Sequence, residues 1–87
     1  SRSIHSINDQ LVITAEEISN KNIDSLIDAL NKNGVNVEVQ SLNKTDNKTI
    51  IVLKLSDFDL DKLSLVEEYF KSNKISTTEI QFYSSTE

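Results

Sequence analysis

The chain contains no cysteine, no proline, no tryptophan and no methionine, and its 87 residues include a single glycine and a single histidine. Without cysteine there is no disulfide to staple the fold and no thiolate to attack a substrate or hold a metal, while the redox compartment stays open. The lone glycine, Gly34, rules out a glycine-rich loop wrapped around phosphates. His5 has neither a second imidazole nor a thiol with which to share a metal, and no Ser-His-Asp arrangement can be assembled around it. No apolar run reaches the length of a membrane span, and no secretory signal core is present. Basic residues are also scarce: 9 against 14 acidic ones, for a net charge of −5. With no cluster of Lys and Arg, phosphate backbones and anionic membrane surfaces are disfavoured as partners.

What remains is a chain of one-domain length, 37% hydrophobic and 26% charged, with the composition of a regular fold and not of a linker. Residues 1–10, SRSIHSINDQ, are polar and aperiodic and are read as a flexible lead-in. The opening Ser1-Arg2-Ser3 lacks an initiator methionine and reads as an appended remnant, so the chain is expected to be a domain cut from a longer protein. Residues 11–87 are expected to form one domain.

The β-branched run LVITA, Leu11 to Ala15, predicts a strand. Asn22 is placed to cap a helix whose apolar residues Ile23, Leu26, Ile27 and Leu30 recur at helical spacing, and Gly34 to end it in a left-handed conformation. Val35, Val37 and Val39 then alternate with polar residues, the period of a half-buried strand. Residues 43–48, NKTDNK, predict a hairpin turn, and TIIVLKL, Thr49 to Leu55, the most hydrophobic strand. A second helix is expected to start at Asp57 or Asp59 and to present Leu60, Leu63, Val66, Tyr69 and Phe70 on one side. A last strand is expected over Thr78 to Tyr83.

The predicted order is β-α-β-β-α-β, and a shift of 40 residues superposes its halves. Leu11, Val12, Ile13 and Ala15 fall on Ile51, Val52, Leu53 and Leu55, Ile18 on Phe58, Leu30 on Phe70, and Val35 on Ile75. Two such halves interleave into an α+β, ferredoxin-like two-layer sandwich, with a four-stranded antiparallel sheet carrying both helices on one face. The helix-facing set should be Leu11, Ile13, Val35, Val37, Val39, Ile51, Leu53, Leu55, Ile80 and Phe82. The open face should carry Val12, Thr14, Asn36, Glu38, Gln40, Ile50, Val52, Lys54, Glu79, Gln81 and Tyr83.

Candidate chemistry is thin. Asp57, Asp59, Asp61 and Glu68 fall at positions 1, 3, 5 and 12 of a calcium-loop frame, but Lys62 occupies the position where such a loop turns on glycine. Acidic residues at a helix start are the simpler reading. The adjacent pairs Glu16-Glu17 and Glu67-Glu68 diverge on any regular backbone and read as solvated surface. Asn43-Lys44-Thr45 and Asn47-Lys48-Thr49 fit the glycosylation acceptor pattern, which arises readily in so Asn- and Thr-rich a turn. RNA-recognition domains of the same topology stack bases on aromatic residues of the central strands, and LVITA and TIIVLKL have none. The loop EEISNKN, residues 16–22, lacks the glycine usual in small-molecule regulatory domains of the ACT type. No cofactor or metal is expected, and no catalytic residue is assigned.

The feature left for function is a surface. An apolar stripe of Val12, Ile50 and Val52 at the centre of the open face, with a rim that includes Glu38 and Tyr83, has the pattern of a modest protein interface. The sheet edges, residues 35–40 and 78–83, are further places where another chain can pair.

From Ile23 onward, and above all in VNVEVQSLNKTDNKTIIVLKLSDFDLDKLSLVEEYFKSN, Val35 to Asn73, the chain resembles the ferredoxin-like periplasmic domains of assembly-platform proteins. These are the L-type and pilus N-type inner-membrane proteins of type II secretion and type IV pilus systems. The shared pattern is a hydrophobic strand followed by an acidic "DF" and a helix with LxxVxxYF spacing. The resemblance implies a non-enzymatic scaffold in the periplasm, tethered by a membrane helix outside this chain, that forms homodimers and heterodimers. The alternative expectation is a cytoplasmic, ACT-like regulatory domain that binds a small molecule.

Overall fold

The computed structural model describes residues 9–84. In chain order these form β1 (Asp9–Ala15), α1 (Asn20–Lys32), β2 (Asn36–Lys44), β3 (Thr49–Ser56), a single 3-10 turn (Leu60–Lys62), α2 (Leu63–Ser72) and β4 (Thr77–Tyr83). The four strands make one antiparallel sheet in the order β2-β3-β1-β4. Each β-α-β half therefore straddles the first strand of the other, as interleaved halves must. Both helices lie on one face, because Leu11, Ile13 and Ala15 of β1 and Ile51, Leu53 and Leu55 of β3 share a single core with Ile23, Leu26 and Leu30 of α1 and Val66 and Phe70 of α2. The fold is the expected ferredoxin-like α+β sandwich. Burying such a Leu, Ile or Phe side chain contributes about 1.5–3 kcal/mol each.

The 40-residue repeat extends into the helix ends. At the end of α1 the Val35 N–H donates to the Leu30 carbonyl (3.0 Å) and the Gly34 N–H to that of Asn31 (3.0 Å). At the end of α2 the Ile75 N–H donates to the Phe70 carbonyl (2.9 Å) and the Lys74 N–H to that of Lys71 (3.2 Å). Both are Schellman closures, in which two orphan carbonyls are satisfied and an apolar residue folds back over the last turn. Even the flanking asparagines match, Asn33 Nδ2 donating to the Ala29 carbonyl and Asn73 Nδ2 to that of Tyr69, each at 2.8 Å. The difference lies at the left-handed residue, which is Gly34 (φ +86°) in one half and Lys74 (φ +56°) in the other.

Several local expectations are corrected. β1 begins at Asp9, so Asp9 and Gln10 of the expected lead-in belong to the sheet. The α1 cap is Ser19, whose Oγ accepts the Asn22 N–H at 3.1 Å; Asn22 lies inside the helix. Asn22 instead ties the two helices together, since its carbonyl accepts the Tyr69 hydroxyl (3.0 Å) while its Nδ2 donates to that hydroxyl (3.2 Å). α2 begins at Leu63, after the 3-10 turn, which leaves Leu60 67% exposed and off the apolar side assigned to it. β2 runs on to Lys44, so the hairpin loop is the shorter stretch 45–48, closed by Thr45 N–H to the Lys48 carbonyl at 2.9 Å. Ile18 and Phe58, the repeat-related residues of the two strand-to-helix loops, are both buried, and Phe58 meets Phe82 of β4 at 5.0 Å between ring centroids.

Candidate functional site: the open sheet face

The face of the sheet away from the helices is ordered into rows by strand register. One row crosses all four strands as Glu38, Lys54, Gln10 and Tyr83; the next is Ser41, Val52, Val12 and Gln81; the third is Asn43, Ile50, Thr14 and Glu79. At roughly 4.8 Å per strand each row spans about 14 Å. Val12 and Val52 are direct cross-strand partners, and Ile50 lies one row along, diagonal to Val12, within reach of side-chain contact. All three are half-buried although no helix covers them, because neighbouring side chains shield part of each.

The structure thus brings Val12, Ile50 and Val52 together as one central stripe. It places Glu38 and Tyr83 at opposite ends of the adjoining polar row, separated by the two central strands. Glu38 stands opposite Lys54, an unlike-charge pairing across β2 and β3. Tyr83 is half exposed, and its hydroxyl donates to Gln81 Oε1 at 2.6 Å. The rim is accordingly polar and the centre apolar, the arrangement of a small interface core.

A β-bulge in β2 shapes this face. The register against β3 slips between Val39 and Ser41, and Gln40 reaches over β3 so that Gln10 Nε2 donates to its Oε1 at 2.8 Å. The bulge returns Leu42 to the helix side, opposite Ile51. Its sequence signal is the spacing of Val37, Val39 and Leu42, a step of three where a regular strand alternates by two. On that helix side, Val39 and Leu42 are 42% and 40% exposed, so Val39 keeps the helix-facing side that alternation gives it but lies outside the buried core.

Other candidates resolve as local structure. Asp57 adopts a left-handed conformation (φ +63°), its carbonyl accepts the Lys62 amine at 3.0 Å, and its Oδ2 lies 3.4 Å from Asn36 Nδ2. With Phe58 buried between them, Asp57 and Asp59 build the entry to the 3-10 turn; among the described residues no three acidic or imidazole groups are placed to share a metal. His5 lies outside the described residues. A cleft of about 1090 Å³ opens between the loop after β1 and the hairpin tip, lined by Glu16, Glu17, Ser19 and Asn22 on one side and Lys44 to Thr49 on the other. The sequence pattern did not signal it, because it depends on the hairpin reaching past the start of α1. Among the described residues no helix is long and apolar enough to cross a membrane. No protein-family model matches the chain, and no curated protein matches it.

Proposed function

We propose that this is a non-catalytic protein–protein interaction domain that homodimerises or heterodimerises within a larger, membrane-associated bacterial assembly. The observation that carries the reading is the contiguous stripe of Val12, Ile50 and Val52, apolar at the centre of a sheet face that neither helix covers. The likeness to the periplasmic domains of secretion and pilus platforms supports the assembly, its periplasmic setting and a membrane tether outside the described residues. Replacing Val12 and Val52 together by Lys puts two charges at the centre of that face without touching the buried core. Association, measured by sedimentation with the natural partner or another copy, should weaken at least about tenfold while circular dichroism and melting stay near wild type. Unchanged association in the folded double variant refutes the assignment of this face.

A second reading, a small-molecule regulatory domain of the ACT-like type, rests on the cleft between the loop after β1 and the hairpin tip. A saturable rise in melting temperature with one member of a metabolite panel, abolished by substitution at Asn22 or Lys48, supports it over the interaction reading.

A further inference from the structure

Asn33 and Gly34 close α1, and together they form the one Asn-Gly step in the chain, since Gly34 is its only glycine. An asparagine followed by glycine is inherently reactive. The backbone nitrogen of the next residue can attack the side-chain carbonyl carbon, and glycine has no Cβ to obstruct that approach and restricts the backbone least. Both residues are exposed to water. We propose that Asn33 is a self-modification site, converted through attack by Gly34 to aspartate and isoaspartate with water as the only co-reactant, at a rate that the folded end of α1 sets. This goes beyond the interaction reading and does not depend on it.

The Gly34 nitrogen, after losing its proton, forms a bond to Asn33 Cγ, and the Cγ–Nδ2 bond breaks as ammonia leaves with a proton from solvent. The product is a cyclic succinimide. Water then opens the ring at either carbonyl. Opening at Cγ gives aspartate, and opening at the backbone carbonyl gives isoaspartate, in which the main chain runs through the former side chain. The net change turns an amide and a water molecule into a carboxylate and an ammonium ion, with no oxidant or reductant.

The helix end holds both reacting groups back. Asn33 Nδ2 donates to the Ala29 carbonyl at 2.8 Å, which turns the side chain back along the helix, and the Gly34 N–H is held by the Asn31 carbonyl at 3.0 Å. Asn33 has ψ +18°, so the Gly34 nitrogen nearly eclipses the Asn33 nitrogen, whereas ring closure needs it eclipsed with Cβ. Attack therefore waits for the last turn of α1 to open, and its rate reports how often that happens. Conversion weakens the same turn. Aspartate has no Nδ2 to offer Ala29 and adds a negative charge at the negative end of the helix dipole. Isoaspartate puts an extra methylene between α1 and Val35, which is 1% exposed and stands just before β2. The end of α2 is the internal control: Asn73 Nδ2 and the Lys74 N–H make the equivalent bonds, at 2.8 and 3.2 Å, but there a lysine side chain hinders the attack.

Incubation of the full chain in heavy-oxygen water tests this. Peptide mass spectrometry then finds the new oxygen where a ring has opened, and isoaspartyl methyltransferase counts the isoaspartate share. Asn33 should convert in the folded protein at least about tenfold more slowly than in guanidinium-unfolded protein, yet measurably within about a hundred unfolded half-times. The rate should rise with pH, since the attacking nitrogen must lose its proton. Asn73 should stay intact in the wild type, and Lys74→Gly, which removes the obstructing side chain, should bring it into the reaction. Amide exchange at Gly34 and Val35 should quicken in converted chains. Equal rates in folded and unfolded protein overturn the control by the helix end. No conversion of folded protein within that time, wild-type Asn73 reacting as fast as Asn33, or an Asn73 left inert by Lys74→Gly overturns the site.

Discussion

Lys74→Gly should stabilise this domain, although it removes a side chain and adds no contact. Lys74 sits at φ +56° at the end of α2, in the Schellman position that Gly34 fills at the end of α1. A left-handed conformation costs an L-residue about 1–2 kcal/mol through crowding of its Cβ. Glycine removes that cost but loses roughly 0.5–1 kcal/mol more backbone entropy on folding. Loss of the lysine charge beside the α2 C-terminus takes away about 0.3 kcal/mol at low salt. The balance is a gain of about 0.2–0.7 kcal/mol, or a rise of roughly 1–6 °C in melting temperature for a chain of this size. The repeat supplies the control. Gly34→Ala should lose about 1 kcal/mol, and purely through the backbone, since a Cβ built there meets nothing within 4 Å. Urea unfolding followed by circular dichroism gives both values, with an unchanged m-value as the sign that only stability moved. A neutral or destabilising Lys74→Gly beside a costly Gly34→Ala refutes the equivalence of the two caps.

Two further substitutions probe how the helices are held. Ser19→Ala removes the oxygen that accepts the Asn22 N–H and should cost about 1 kcal/mol, readable in the same urea titration, with Ser19→Asp recovering most of it. Tyr69→Phe breaks both hydrogen bonds to Asn22 while keeping the ring, which packs edge-on against Phe70, and should cost about 1–2 kcal/mol. Amide exchange should then accelerate at the α1 N-terminus more than in β3, whose residues Ile51, Leu53 and Leu55 are fully buried.

The sequence by itself determined the element order, the pairing of halves at a 40-residue offset and the division of β1 and β3 into a buried and an open face. These follow from local periodicity: strand side chains alternate by two, helix side chains recur by three and four, and each pattern is legible wherever one face is buried. Gly34 was legible for the same local reason, because a single glycine after an amphipathic run marks a left-handed helix end. Lys74 carries no such mark, and only the closure of α2 over Ile75 reveals that it occupies the same conformation. Tertiary structure also decided which residues around the stripe lie near one another. Glu38 and Tyr83 share a row yet stand at its two ends, a relation set by strand order and register that no window along the chain contains. The exposure of Val39 and the bridge from Gln10 to Gln40 belong to the same class. Each depends on which element lies over or beside another, and that is settled by packing between segments distant in sequence.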